Sequence, residues 1–124
     1  KPILMTHTVY TVGFVIRQGD NAGFMFTADT GPTKRFWETA REEKDIRFII
    51  ADVSFPSRLA DLATISGHMT PSMLMGYIDS YGLGNRLFYI THMKPIFIKE
   101  ILKEFEVSGR NNIRILKQGE TLMI

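Results

Sequence analysis

The stretch Phe24-Met25-Phe26-Thr27-Ala28-Asp29-Thr30-Gly31-Pro32-Thr33 decides how this chain is read. An apolar run climbs through Phe24, Met25 and Phe26 and delivers a carboxylate, Asp29, onto a turn built from Thr30, Gly31 and Pro32. A carboxylate at the end of a buried strand is costly unless something positive meets it. Three other apolar segments end alike: Ile3-Leu4-Met5 before His7, Ile49-Ile50-Ala51 before Asp52, and Leu87-Phe88-Tyr89-Ile90 before His92. The remaining histidine, His68, lies in Ser66-Gly67-His68-Met69-Thr70-Pro71. Every histidine and two of the aspartates therefore sit at the edges of core segments. That pattern points to one metal-assembled site at the rim of a sheet.

Outward from that stretch, the composition sets bounds. A chain of 124 residues is one domain or part of one. With 44% hydrophobic and 23% charged residues it has the balance of a globular protein and not of a disordered one. The absence of cysteine excludes disulfides and thiolate metal sites and fits a cytoplasmic protein. The longest apolar runs are far short of a membrane span, and no secretory signal is visible. The net charge of +2 is small, and Lys and Arg are dispersed, so no nucleic-acid patch is expected. The seven methionines read as core filler. A first residue of Lys1 fits a processed product or a fragment.

Periodicity places the candidates on elements. Strands are expected over 1–6, through Val9–Ile16, and over Phe24–Thr27, the last two forming a hairpin. Thr33 is positioned to cap a helix over 34–43 with Phe36, Trp37 and Ala40 inward. A strand runs from Arg47 to Val53, and Ser57 can cap a short helix through Leu59, Ala60, Leu62 and Ala63. Thr70-Pro71 is a strong helix start, a capping threonine followed by proline in the first turn, and Met73, Leu74, Tyr77, Ile78 and Tyr81 make its apolar stripe. A strand over Arg86–Thr91, a helix over 96–105 and two short strands, 112–116 and 121–124, complete an α/β layered architecture.

The chemistry is read from residue types. His7, Asp29 and His92 are ligands suited to zinc, manganese or iron, held at strand tips. A carboxylate can bridge two cations, and two cations roughly 3.5–4 Å apart suit attack on a phosphoryl group. The plainer reading is that each histidine is hydrogen-bonded and that Asp29 caps its turn. His68 stands two residues before a helix cap, where it can hold a phosphate oxygen or protonate a leaving alkoxide, and Asp52 can orient its other nitrogen. Alternatively, His68 is a loop residue fixed by Gly67 and Pro71. Lys94 can meet a phosphate as a point charge or remain solvated. Thr30, on the turn of Asp29, is the other substrate-contact candidate. Trp37 with Phe36 reads as helix packing, and Lys99, Glu100, Lys103 and Glu104 as a wet helix face.

Four motifs, taken in order, then resemble a family. Asp29-Thr30-Gly31-Pro32-Thr33, Asp52-Val53-Ser54-Phe55-Pro56, Ser66-Gly67-His68-Met69-Thr70-Pro71 and Thr91-His92-Met93-Lys94-Pro95 together look like the class II cyclic-nucleotide phosphodiesterases of the metallo-β-lactamase superfamily. Each motif alone is weak. The four in sequence are specific, and the likeness spans nearly the whole chain.

The resemblance implies that His7, Asp29 and His92 bind metal, with Asp29 bridging two divalent ions, zinc foremost and manganese or iron as alternatives. It implies that Asp52 and His68 assist the leaving oxygen, as their counterparts do in tRNA 3′-processing endonucleases. Lys94 and Thr30 would then contact substrate. Two substitutions mark this chain. Ala28 stands where glycine is usual, which is tolerated if the backbone there is not left-handed. Asp52 stands where glutamate is common, so its shorter side chain must approach His68 more closely.

The family's His-x-His-x-Asp-His loop does not occur here. By resemblance it belongs to the first half of the fold. Residues 1–124 are thus expected to form the second half of a metallo-β-lactamase-like αββα sandwich, a mixed sheet with helices packed on one face. The function implied is hydrolysis of 3′,5′-cyclic AMP or GMP to nucleoside 5′-monophosphates, with this chain inactive alone. Its partners would be the cyclic nucleotide, the missing N-terminal half and, by its exposed apolar surface, a second copy in a homodimer. The alternatives are a tRNA 3′-processing endonuclease and a non-catalytic α/β binding or assembly domain.

Overall fold

A computed structural model describes all 124 residues. Its strands are β1 (Pro2–Met5), β2 (Thr11–Arg17), β3 (Gly23–Phe26), β4 (Ile46–Asp52), β5 (Leu87–Thr91) and β6 (Ile113–Ile115). Its helices are α1 (Lys34–Glu42), α2 (Ala60–Ser66), α3 (Pro71–Ser80) and α4 (Ile98–Ser108). The six strands form one mixed sheet in sequence order. β1, β2 and β3 pair antiparallel, whereas β3, β4, β5 and β6 pair parallel. Parallel neighbours need a crossover, and crossovers are right-handed. A one-way progression from β3 to β6 therefore leaves the connecting helices on one face.

The alternation of burial agrees. Ile3, Met5, Val15, Met25, Ile49, Ala51, Phe88 and Ile90 point into a core shared with Phe36, Trp37, Leu74, Ile78 and Ile101 of the helices. Trp37 of α1 stacks on Tyr77 of α3 with centroids 5.2 Å apart and planes 6° from parallel. Burial there pushes the Tyr77 hydroxyl pKa up.

The opposite face of the sheet is also apolar but carries no helix. Leu4 is 60% exposed, and Phe14 and Ile16 are 37% and 38% exposed. Phe24 stacks on Phe48 at 5.1 Å, and Phe48 meets Tyr89 edge-on at 5.5 Å. Residues 121–124, expected as a strand, are irregular. Leu122 and Ile124 instead border a cavity of about 270 Å³ together with Phe24, Phe48, Ile50 and Leu116. The tail thus folds over part of the bare face, because apolar contact is available there and no further ladder edge is needed.

Two capping expectations change. Thr33 precedes α1, but its side chain makes no cap bond. Its Oγ1 accepts the Thr6 N–H at 2.9 Å and lies 3.2 Å from the Gly31 carbonyl, so it ties β1 to the Asp29 turn. Ser57 opens a 3-10 turn (57–59), and its Oγ accepts the Ser72 N–H at 3.0 Å, serving α3 in place of its own helix. Thr70 does cap α3, accepting the Met73 N–H at 3.3 Å. The last helix starts at Ile98, after a 3-10 turn over 95–97.

The topology has one consequence for the site. β1 is antiparallel to β2, and β2 to β3, so β1 runs the same way as β3, β4 and β5. The C-terminal tips of these four strands lie along one rim. His7, Asp29, Asp52 and His92 are at or just beyond those tips.

Candidate functional site

Asp52 ends β4, and its side chain is 1% exposed. Its backbone N–H donates to Thr27 Oγ1 at 2.9 Å. Its carboxylate receives three donors. Thr30 N–H reaches Oδ2 at 2.9 Å, Ser54 Oγ reaches Oδ1 at 2.6 Å, and His68 Nδ1 lies 2.7 Å from Oδ2. A buried carboxylate is stable under such provision. A carboxylate only accepts, so Nδ1 of His68 carries the proton and Nε2 points away. The shorter aspartate reaches its histidine after all.

His68 is placed by the end of α2. Gly67 stops the helix at φ 74°, and the His68 N–H donates to Ala63 O at 2.9 Å. The Gly67 carbonyl accepts from Nδ1 of His7 at 2.8 Å, which leaves Nε2 of His7 as that ring's free nitrogen. The His7 ring meets His68 edge-on at 5.0 Å, and His68 stacks against His92 at 5.0 Å. The three imidazoles thus form one row.

His92 follows β5 with a left-handed φ of 64°. Its Nδ1 lies 2.8 Å from Ser54 Oγ, and its Nε2 lies 3.5 Å from Asp29 Oδ1. The side chains of His92 and Asp29 are 36% and 47% exposed. Ala28, just before Asp29, has φ 54°, so the backbone there is left-handed and alanine carries strain that glycine would not. The two polar residues open onto an apolar cavity of about 380 Å³ on the bare sheet face, lined also by Ile16, Phe24, Phe26 and Ile50.

The rim has two parts that differ in chemistry. One is the buried Asp52–Ser54–His68 network. The other is an accessible set of donors: His92 Nε2, Asp29 and His7 Nε2. The trio whose ligand atoms all lie within 4.8 Å of one another is Asp52, His68 and His92, and not the expected metal set of His7, Asp29 and His92. Mixed carboxylate and imidazole donors fit a divalent cation such as zinc, manganese or iron. Three hydrogen bonds already converge on Asp52, so Asp29 is the carboxylate with lone pairs to spare.

Five of the seven residues singled out from sequence converge here. The other two are placed differently. Thr30 is 1% exposed, and its hydroxyl is spent on Gly31 O at 2.7 Å and Thr33 Oγ1 at 3.0 Å; its contribution is the N–H to Asp52. Lys94 extends its Nζ to 6.0 Å from the centre of the Phe55 ring, a cation–π distance. Ser54 and Thr27 escaped the sequence reading. The i, i+2 spacing of Asp52 and Ser54 at a strand end was the available signal for Ser54. Thr27 gave none.

A mixed sheet with helices on one face and histidine and aspartate at its strand tips is the architecture of the metallo-β-lactamase fold. No family profile matches the sequence, and no curated protein is significantly similar to it. Solved structures are. The chain resembles the metallo-beta-lactamase fold protein YhfI from Bacillus subtilis with a TM-score of 0.75 and 18% identity, over 96% of this chain and 46% of that one. It resembles human tRNase Z, short form, with a TM-score of 0.69 and 12% identity, over 99% of this chain and 42% of that one. The fold expected from the motifs is therefore borne out, and the chain spans less than half the length of either structure. No helix is long and apolar enough to cross a membrane.

Proposed function

We propose that this chain supplies part of the two-metal site of a phosphodiesterase acting on 3′,5′-cyclic nucleotides such as cyclic AMP or GMP, with 5′-monophosphates as products. The observation that carries the reading is the buried Asp52–His68 contact of 2.7 Å beside the open Asp29–His92 pair. His92, Asp29 and His7 would hold the cations, zinc foremost. Bound there, the cations would activate water and neutralise charge developing on the phosphoryl group. Asp52 holds His68 through its Nδ1–H; the imidazolium form of His68 would carry a second proton on Nε2 and could pass that one to the departing 3′-oxygen. Lys94 supplies a positive charge on the segment that follows His92. The bare sheet face is where the N-terminal half of the fold would pack; a second copy is the alternative cover.

The likeness to human tRNase Z supports a second reading, a tRNA 3′-processing endonuclease. The dispersed basic residues favour the smaller substrate. A non-catalytic α/β binding domain is the third. The deciding experiment measures metal content of the full-length protein and its hydrolysis of cyclic AMP, cyclic GMP and a tRNA precursor. Bound metal with cyclic-nucleotide turnover supports the proposal. Cleavage of the precursor alone moves it to the second reading, and a metal-free, inert protein to the third.

A further inference from the structure

Ser54 is completely buried and reaches both halves of the rim. Its Oγ lies 2.6 Å from Asp52 Oδ1, 2.8 Å from His92 Nδ1, 2.9 Å from the His92 carbonyl and 3.2 Å from His68 Nδ1. A hydroxyl has one proton to give and two lone pairs to receive with. Asp52 Oδ1 and the His92 carbonyl can only accept. The shorter contact is to the charged oxygen, and charge-assisted hydrogen bonds are the stronger ones, so the proton goes to Asp52.

The lone pairs must then be met by a donor, and His92 Nδ1 at 2.8 Å is the nearest. We propose that Ser54 is a positioning residue that fixes His92 as the Nδ1–H tautomer and so keeps its Nε2 lone pair directed toward Asp29. The opposite tautomer would set Nδ1 competing with Asp52 for one proton, and Ser54 is the donor that Oδ1 has.

The backbone supports this clamp. Val53 N–H donates to Thr91 O at 3.1 Å, and Lys94 N–H donates to Ser54 O at 3.2 Å. The left-handed turn at His92 is therefore gripped on both sides by the Val53-Ser54 segment. A free ring nitrogen beside a carboxylate is what a cation requires, and a hydrogen bond to the other nitrogen sets which one is free. The metal consequence rests on the phosphodiesterase reading; the tautomer does not.

The test is histidine ¹⁵N–¹H correlation NMR on the full, metal-free chain, at a pH where the imidazoles are neutral, with zinc titration calorimetry alongside. In the wild type His92 is expected as the single Nδ1–H form. Ser54→Ala should give mixed tautomers and weaken zinc binding about 10–100-fold. Ser54→Thr, which keeps the hydroxyl, should restore the single form. An Nε2–H signal for His92 in the wild type overturns the proposal without any variant, as does a Ser54→Ala spectrum identical to wild type. If the wild type shows the expected tautomer but binds no zinc, the metal reading fails and the assignment of Ser54 stands.

Discussion

Gly67 and His7 leave no room for a β-carbon between them. A Cβ built on Gly67 would lie 2.6 Å from His7 Nδ1 and 2.9 Å from its Cα, and the backbone there has φ 74°. Gly67→Ala therefore meets two penalties, a left-handed alanine and a displaced histidine. The first alone costs about 1–2 kcal/mol. Urea denaturation should show at least that loss. Metal affinity should fall too, since the Gly67 carbonyl that holds His7 must move. An unchanged midpoint would contradict the geometry.

Ala28 offers the reverse experiment. Its φ of 54° is strained for alanine, and Ala28→Gly removes the strain while adding freedom to the unfolded chain. The net change should be a gain of up to about 1 kcal/mol, read as a higher denaturation midpoint with the same slope.

Asp52→Ala should be the most damaging of these changes. Three donors converge on its carboxylate, and removing it leaves them buried without an acceptor. A loss of about 3 kcal/mol is expected from breaking such a buried, paired group. Thermal and urea unfolding measure it. A loss below about 1 kcal/mol would mean that water replaces the carboxylate.

A pH effect is expected far from the rim. Arg110 donates through both terminal nitrogens to Asp79 at 2.8 Å each, and this holds the Asp79 carboxyl below its ordinary value. A depressed carboxylate stabilises the fold above its unfolded value. That contribution is lost as pH falls through the unfolded value and then the lower folded one. Wild type should therefore be slightly more stable than Asp79→Asn at pH 6, and the difference should shrink as pH falls through and below the ordinary carboxylate range. The pair is exposed, so the difference is small and shrinks with added salt.

Lys94→Ala tests substrate contact. If the proposed phosphodiesterase reading holds and the lysine meets a phosphate in both ground and transition states, the variant of the full-length protein should show a raised KM for cyclic nucleotide with kcat nearly unchanged. A lowered kcat with unchanged KM would instead give Lys94 a role confined to the transition state.

Most of the rim was legible because its residues follow apolar runs. Asp29, Asp52 and His92 each end a strand-like segment, and parallel strands collect such ends on one side. His7 joined them because two antiparallel pairings bring β1 into the same direction, which a count along the chain does not reveal. The Thr70-Pro71 start was readable from local stereochemistry alone. Thr33 and Ser57 were misassigned because each has a hydroxyl that bonds across the fold, to Thr6 and Ser72 respectively, and not along its own helix. The terminal strand 121–124 failed because alternation of apolar residues also suits a tail lying on an apolar sheet. For Ser54 the i, i+2 spacing from Asp52 signals one contact at most, and nothing local shows that the same hydroxyl also reaches His68 and His92.

Placing the polar rim on four co-directed strand tips makes its geometry hostage to the sheet's own hydrogen-bond ladder. The amides of β4 and β5 should be among the slowest to exchange with deuterium, and their exchange should track global opening more closely than loop motion. Asp29, Asp52 and His92 would then lose their mutual geometry only when the sheet opens, so the order of the rim and cooperative folding become one transition.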